Sequence, residues 1–467
     1  MSATATTEKK YLKWYQKLAY GSGDLASNCS YGLVSSFVLL YLTGTLGLDS
    51  AIIGSLMLAS KVLDGISDVI FGTLIDRTHS KLGKARPWML FGQVGVSLCL
   101  FLLFAIPAGS TTMQYIYFFI VYTALNAVFY TANGIAYSSL VALITKNNNE
   151  RVQLGSFRFM FAVVTNIFMG FAVTGMVEKF GSGAAGWRTT ALIFAIVGLV
   201  VNTISCLAVK ELPEEELSGN TSEAAEEGKA VAEEKKHGFA ETAKILVHNK
   251  YYLMILAIYI VYYIMSNLTT GAGVFCATYY WGDGSLLGQF SMMKMFPVII
   301  ALAIAPVLIK KTGSMQKVNF WGYAISSVLG IPMIYFAMQK NLSMFLLFMF
   351  IKGIFAGTLS GSLNALIAEA SGYTTRTTGI HMDGMMYSCS SLGVKVGGGI
   401  GTAAVGWLLK LGGFVGTATV QSESAIRMIF NLYITFPFVI GIIITVLLAF
   451  LDVDCLLYTS PSPRDTR

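Results

Sequence analysis

Lys61, Asp64 and Asp68 stand at i, i+3 and i+7 inside a strongly apolar run, a spacing that lines them along one stripe of a helix. Two carboxylates four residues apart lie about 40° apart around the helix axis. On insertion scales a carboxylate at membrane depth costs roughly 2.5–3.5 kcal/mol, so two together call for a partner cation or a watery cavity. Their oxygens can bind Na⁺ or take up a proton, and a carboxylate stripe beside an ammonium can be set for either ion. A hard cation needs further neutral oxygens; Thr131 and Asn133, in the fourth apolar run, are candidates. The competing reading of the stripe is a structural Lys61–Asp64 ion pair.

Other polar groups interrupt apolar runs. Asp24 and Asn28 share one face of the first. Asp24 is either a buried functional carboxylate or a helix N-cap, and Asn28, one turn deeper, suits hydrogen bonding to a hydroxyl-rich ligand. Lys395 lies alone in a Ser/Gly-rich stripe of the eleventh run, an expensive place for a cation without a role or a partner. Tyr122, Tyr130, Tyr137, Tyr259, Tyr262, Tyr263 and Trp281 offer aromatic faces with polar tips, which serve sugar sites and packed interiors alike. No GxSxG, HExxH or GxxxxGK[ST] sequence is present, which argues against these hydrolase chemistries and against direct ATP drive.

These residues must be positioned by membrane helices. The chain has 467 residues, 55% hydrophobic and 12% charged, about half the charge of a soluble domain. Apolar runs near 22–45, 50–75, 87–107, 113–143, 157–177, 188–209, 251–280, 286–309, 317–338, 343–369, 378–409 and 426–451 are each long enough to cross a ~30 Å hydrocarbon layer. Residues 210–245 form one long hydrophilic stretch rich in Glu, which cannot bury a core. Arg77, Lys81, Lys84, Arg86, Lys146, Arg151, Lys310, Lys311 and Lys317 fall in alternate loops, so positive-inside places both termini and the linker in the cytoplasm; Lys179, Arg188, Lys340 and Lys410 run against it. Leu74–Ser80 and Leu308–Ser314 share four letters after the second span of each half, a weak repeat that suggests two related bundles. The net charge of +7 is a topology signal rather than a nucleic-acid footprint. Cys29, Cys99, Cys206, Cys276 and Cys389 lack metal-ligand spacing. Residues 455–467 resemble the translation of a sequencing-library adapter and are expected to be non-native.

On these residues the chain resembles the glycoside–pentoside–hexuronide:cation symporter family, the relatives of the melibiose permease within the major facilitator superfamily. The resemblance is carried by Tyr20-Gly21-x-Gly23-Asp24…Asn28, by Asp64…Asp68 with Asp76-Arg77-Thr78-x-Ser80-Lys81-x-Gly83-Lys84-x-Arg86-Pro87-Trp88, by Glu150-Arg151…Leu154…Arg158, and by Tyr387-Ser388…Lys395. By that resemblance Asp64 and Asp68 match the cation-site carboxylates, which would be the Na⁺ ligands if sodium is the coupling ion. Thr131 matches a neutral cation ligand, and Lys395 the charge that links cation and sugar sites. Asn28 stands where the melibiose permease has a sugar-binding aspartate, and Arg158 stands close to a substrate-site arginine. Gly134 and Ser138 stand near that permease's second sugar-binding aspartate and its stacking tryptophan, so melibiose itself is not the implied substrate. The family's Ile-Pro-Tyr is here Ile135-Ala136-Tyr137, which removes a helix distortion.

The expectation is therefore an all-α membrane protein, twelve transmembrane helices in two six-helix bundles of the major facilitator fold. The bundles are expected at 1–209 and 250–454, joined by a cytoplasmic linker over 210–249. The chain is expected to be a secondary active transporter and not an enzyme, importing a sugar or glycoside with Na⁺ or H⁺ by alternating access and needing no cofactor. Asp24, Asn28, Tyr137, Arg158 and Lys395 are expected at the substrate, and Lys61, Asp76, Arg77, Arg86 and Lys395 in coupling or gating. The basic loop at 77–86 would latch onto acidic groups in one state only. Expected partners are the sugar, a monovalent cation and the bilayer, with no nucleic acid; the chain is expected to be a monomer in a bacterial inner membrane. Two alternatives compete: a transporter of lipid-like or drug-like amphiphiles, and a non-transporting sensor that signals through the linker.

Overall fold

A computed structural model describes residues 9–213, 246, 248–378, 383–418 and 420–451. The hydrophilic stretch from 214 to 245 and the tail 455–467 lie outside the described residues, as do His237 and His381. Among the described residues there are no strands. The long helices are α1 (Trp14–Thr45), α2 (Ser50–Asp76), α3 (Arg86–Leu103), α4 (Thr111–Ile144), α5 (Asn148–Lys179), α6 (Gly183–Leu207), α7 (Lys250–Tyr280), α8 (Leu286–Thr312), α9 (Met315–Met338), α10 (Leu342–Thr378), α11 (383–411) and α12 (Glu423–Ala449). Eleven of them are long and apolar enough to cross a membrane. The twelfth, α2, is 27 residues long, about 40 Å at 1.5 Å per residue, and carries Lys61, Asp64, Asp68 and Asp76.

The chain divides into two compact units. The first holds α1–α6. There α1 packs against α5 and α6, α3 against α4 and α6, and α2 against α4, around a core that includes Tyr20, Met89, Ala136, Tyr137, Leu140, Leu154 and Cys206. The second unit is built from α7–α12. In it α9 packs on α10 and α12, and α7 packs on α11 and α12, around Tyr252, Ile255, Ile258, Leu363, Ile367, Ile444 and Leu448. On α2, Asp64 is buried and Lys61 and Asp68 are partly buried, whereas Val62, Leu63, Ile66, Val69 and Ile70 are exposed. Apolar side chains outward and polar ones inward is the sense a bilayer solvent imposes.

Several helices contain π-turns, among them Tyr41–Thr45 at the end of α1 and Cys276–Tyr280 at the end of α7. These are the first helices of the two halves, so the repeat extends to a local backbone detail. Two more, Ala124–Tyr130 in α4 and Gly393–Gly397 in α11, sit beside Thr131 and around Lys395. Such turns free or re-aim backbone groups and recur at functional sites.

The helix starts differ from the hydropathy reading at two places, because polar contacts carry the helices past their apolar stretches. Helix α1 begins at Trp14 and α5 at Asn148, where the Asn147 side chain accepts from Glu150 N. Glu150 is buried and holds the chain entering α1: it accepts from Tyr11 N and Leu12 N at 3.2 Å, Thr145 Oγ1 at 2.7 Å and Lys17 Nζ at 3.0 Å. The motif residue Glu150 is thus a staple between α5 and α1. Glu150→Ala leaves three donors without their acceptor and the Lys17 ammonium with only the neutral Gln153 Oε1 at 2.9 Å, and is expected to cost about 3–5 kcal/mol. Thermal unfolding in detergent reads this; a shift below about 2 °C would remove the staple role.

Candidate functional site

Three oxygens from α2 and α4 converge. Thr131 Oγ1 lies 2.6 Å from Asp64 Oδ1 and 2.9 Å from the Asn126 carbonyl oxygen. Thr131 begins the α-helical turn that follows the π-turn, and its N–H also donates to Asn126 O. The hydroxyl has one proton and two acceptor neighbours. With Asp64 ionised, the proton goes to the carboxylate and the carbonyl faces an oxygen lone pair. With Asp64 protonated, its O–H donates to Thr131 Oγ1 and the hydroxyl donates onward to Asn126 O. A monovalent cation would satisfy the same carboxylate, hydroxyl and carbonyl set. Lys61 Nζ stands 3.5 Å from Asp64 Oδ2, a long contact, so the ion pair and the oxygen cluster share one carboxylate.

A second polar cluster joins α1 to α5. Arg158 Nε donates to Asp24 Oδ2 at 2.6 Å, and its guanidinium lies 4.2 Å from the Tyr137 ring centroid. Asn166 Nδ2 donates to Asn28 Oδ1 at 2.9 Å, and Asn28 Nδ2 donates to Asp24 O at 2.7 Å. Tyr20 and Tyr137 lock α1 to α4, each hydroxyl donating to the other's backbone carbonyl at 2.5 and 2.8 Å. The Tyr20-Gly21-x-Gly23-Asp24 spacing now has a cause. A Cβ on Gly21 would lie 2.6 Å from Phe157 Cβ, and one on Gly23 2.8 Å from the Tyr137 ring and from Ser205 Oγ. Only glycine lets α1 press this close to α4, α5 and α6, and that approach brings Asp24 within reach of Arg158. The helix is interrupted at Ser22 and resumes at Gly23, so Asp24 lies in a first turn but not at the cap, and its carboxylate goes to Arg158.

The two clusters are neighbours. Tyr130, the residue before Thr131 on α4, stacks on Tyr31, three residues after Asn28 on α1, with ring centroids 5.9 Å apart. One turn on from Tyr130, a Cβ at Gly134 would meet nothing within 4 Å, and Ser138 beyond it is exposed. The α4 face that carries Gly134 and Ser138 is therefore open space.

The remaining expected residues fall elsewhere. Asn133, read as a cation ligand, turns to α3, where its Nδ2 donates to Gln93 Oε1 at 2.9 Å and Met89 O at 3.3 Å. Two residues after Thr131 is about 200° around the helix, which is why it faces away from Asp64. Asp68 stays on the inward stripe of α2, and Lys395 sits within the π-turn of α11 in the second unit. Asp76 and Arg77 are exposed at the end of α2. Arg86 Nε donates to Cys206 O at 3.2 Å. The loop's acidic partner is Glu211, which accepts from Lys84, Ala85 and Arg86 N–H at 2.7–3.1 Å and caps α3 from just beyond α6. Gly83 has φ 110°, and a side chain there would collide with that carboxylate. This part of the motif builds a turn. Asn166 and Tyr31 were not among the expected residues; Asn166 lies two turns after Arg158, a spacing that is legible only once Asn28 is known to face it.

A sequence model described as "MFS/sugar transport protein" matches residues 19–455. The chain belongs to this family. Like its relatives this is a transporter and not an enzyme. It is 26% identical over 450 residues to the isoprimeverose transporter of Lactiplantibacillus pentosus, covering 96% of this chain and 90% of that one. Over 427 residues it is 24% identical to the putative glycoside/cation symporter YagG of Escherichia coli (strain K12), covering 91% and 88%. Among solved structures, a bacterial homolog of the human lysosomal transporter Spinster superposes with TM-score 0.69 at 14% identity, covering 96% of this chain and 98% of that one. The nucleoside transporter NupG superposes with TM-score 0.61 at 13% identity, covering 93% and 99%. These likenesses establish the major facilitator fold and leave the ligand to the site.

Proposed function

We propose that this transporter imports a sugar or glycoside in symport with Na⁺ or H⁺, using Asp64 as the coupling carboxylate. The observation that carries the reading is the oxygen trio of Asp64, Thr131 and Asn126, whose hydrogen bonding is completed when a proton or a monovalent cation neutralises Asp64. Asp68, on the same stripe, contributes the second carboxylate. The neighbouring Asp24–Arg158 pair with Asn28 and Asn166 supplies adjacent donors and acceptors for sugar hydroxyls, while the buried Tyr137 ring backs the Arg158 guanidinium and holds it in place. Tyr130, next to Thr131 and stacked on Tyr31 of α1, ties the cation cluster to the helix that carries Asp24 and Asn28, so cation occupancy and sugar affinity are linked through that contact. Lys395 would complete the link from the second bundle, and alternating access would follow from movement of one bundle against the other. The loop charges support an orientation with both termini on the cytoplasmic side, in a bacterial inner membrane.

The test is uptake of a panel of glycosides, pentosides and hexuronides into vesicles, with Na⁺ or proton gradients imposed separately. A substrate that accumulates only with one gradient supports the reading and names the ion. Accumulation indifferent to both gradients, or of none of the sugars by folded protein, would overturn it. Thr131→Val removes the middle oxygen and keeps the shape. It is expected to weaken activation by the coupling ion about tenfold, one hydrogen bond to a charged group, with Thr131→Ser restoring most of it.

A further inference from the structure

The second unit holds a cavity of about 180 Å³ lined by α7, α8, α9, α10 and α12. Among the described residues, two ammonium groups line it, Lys294 from α8 and Lys352 from α10, and no Asp or Glu does. Lys294 Nζ donates to Thr269 Oγ1 at 3.2 Å and Thr270 Oγ1 at 3.3 Å, which are neutral acceptors. Lys352 has no hydrogen-bond or ion-pair partner among the described residues. Hydroxyls of Ser266, Ser360 and Tyr262 share the lining, and Tyr262 Oη lies 2.8 Å from Ser360 Oγ. The lysines are brought together by close helix contact. A Cβ on Gly353, the residue after Lys352, would lie 2.8 Å from Pro297 Cβ, three residues after Lys294, and Gly357 meets Ala301 in the same way one turn on.

Two cations in one intramembrane cavity with no carboxylate to balance them repel each other and are costly to desolvate. We propose that Lys294 and Lys352 form an oxyanion site in the second bundle, taking a carboxylate, sulfonate or phosphate group between them with the Thr269 and Ser266 hydroxyls as further donors. An oxyanion bridging two ammonium groups removes the repulsion and makes charge-assisted hydrogen bonds. The group has two possible sources, an acidic sugar or an anionic lipid headgroup. The first deepens the symport reading and rests on it; the site itself does not.

The test uses the full chain in nanodiscs of phosphatidylcholine, titrated with glucuronate, with methyl glucoside as the neutral counterpart and with inorganic sulfate, read by thermal stabilisation. The expected result is that glucuronate or sulfate stabilises the protein and that Lys352→Met and Lys294→Met each weaken this at least about tenfold, with Lys352→Arg retaining it. Methyl glucoside binding by the same variants shows that they are folded. Adding phosphatidylglycerol to the discs separates the sources: stabilisation by this lipid, lost in the lysine variants and not displaced by glucuronate, assigns the oxyanion to a headgroup. The proposal is overturned if neither glucuronate, sulfate nor phosphatidylglycerol stabilises the wild type in a lysine-dependent way. Neutral sugar accumulation without oxyanion binding would leave symport standing and remove this site. Oxyanion binding without accumulation of any sugar would do the reverse.

Discussion

Vesicles carrying Asp64→Asn are expected to lose gradient-driven accumulation by about 100-fold, the upper part of the usual range for coupling between two ligands. Downhill flux of the same sugar should persist. The amide has the size of the carboxylate and can still meet Thr131 Oγ1, so the sugar cluster on α1 and α5 keeps its geometry. What it lacks is the charge that a proton or Na⁺ must neutralise. The protein would then behave as if permanently loaded, and a ligand bound equally in all states shifts no equilibrium. Asp64→Glu keeps the charge and misplaces it by one methylene, so partial coupling should remain. Accumulation by Asp64→Asn at the wild-type level would show that the coupling ion binds elsewhere, with Asp68 the first place to look.

The second large effect concerns Asp24 and Arg158. Their contact at 2.6 Å lies inside the first bundle with both side chains mostly buried, so removing one partner leaves an uncompensated charge in the membrane interior. Arg158→Met is expected to destabilise the protein by about 3–5 kcal/mol, whereas Asp24→Asn with Arg158→Met should recover most of that, because a neutral pair carries no desolvation penalty. Sugar binding should fall in Arg158→Met and stay low in the double variant, since both lose the guanidinium that Asp24 and Tyr137 hold in the cluster. Unfolding in detergent and equilibrium binding separate the two quantities. If the double variant binds sugar like the wild type, the pair is architectural and the sugar site must be sought away from α1 and α5.

Much of the fold is legible along the chain because the bilayer acts on each segment independently. An apolar run of span length must close its own backbone hydrogen bonds as a helix, and the twelve runs recur as α1–α12 with shifts of a few residues, save where Glu150 and Asn147 extend two helices and where α10 runs on to Thr378. The stripe of Lys61, Asp64 and Asp68 is equally local, since i+3 and i+7 neighbours share a face whatever surrounds the helix. Lys294 and Lys352 satisfy the criterion that singles out Lys395, an isolated cation in an apolar run. They pass unnoticed because no motif flanks them.

Pairings between distant segments are another matter. Thr131 meets Asp64 from 67 positions away and Arg158 meets Asp24 from 134, and no local rule ranks those partners above others on the same helices. Asn133 shows the limit: it is two residues from Thr131 and equally polar, yet it turns to Gln93 on α3. The chain itself determined that there would be helices, which face of each would be polar, and that charge would have to be sheltered, because these follow from periodicity and the cost of polar groups in hydrocarbon. Only tertiary packing decided which oxygen faces Asp64 and which cation faces Asp24, because that depends on how closely Gly21 and Gly23 let α1 approach its neighbours and on how the π-turn in α4 rotates Thr131.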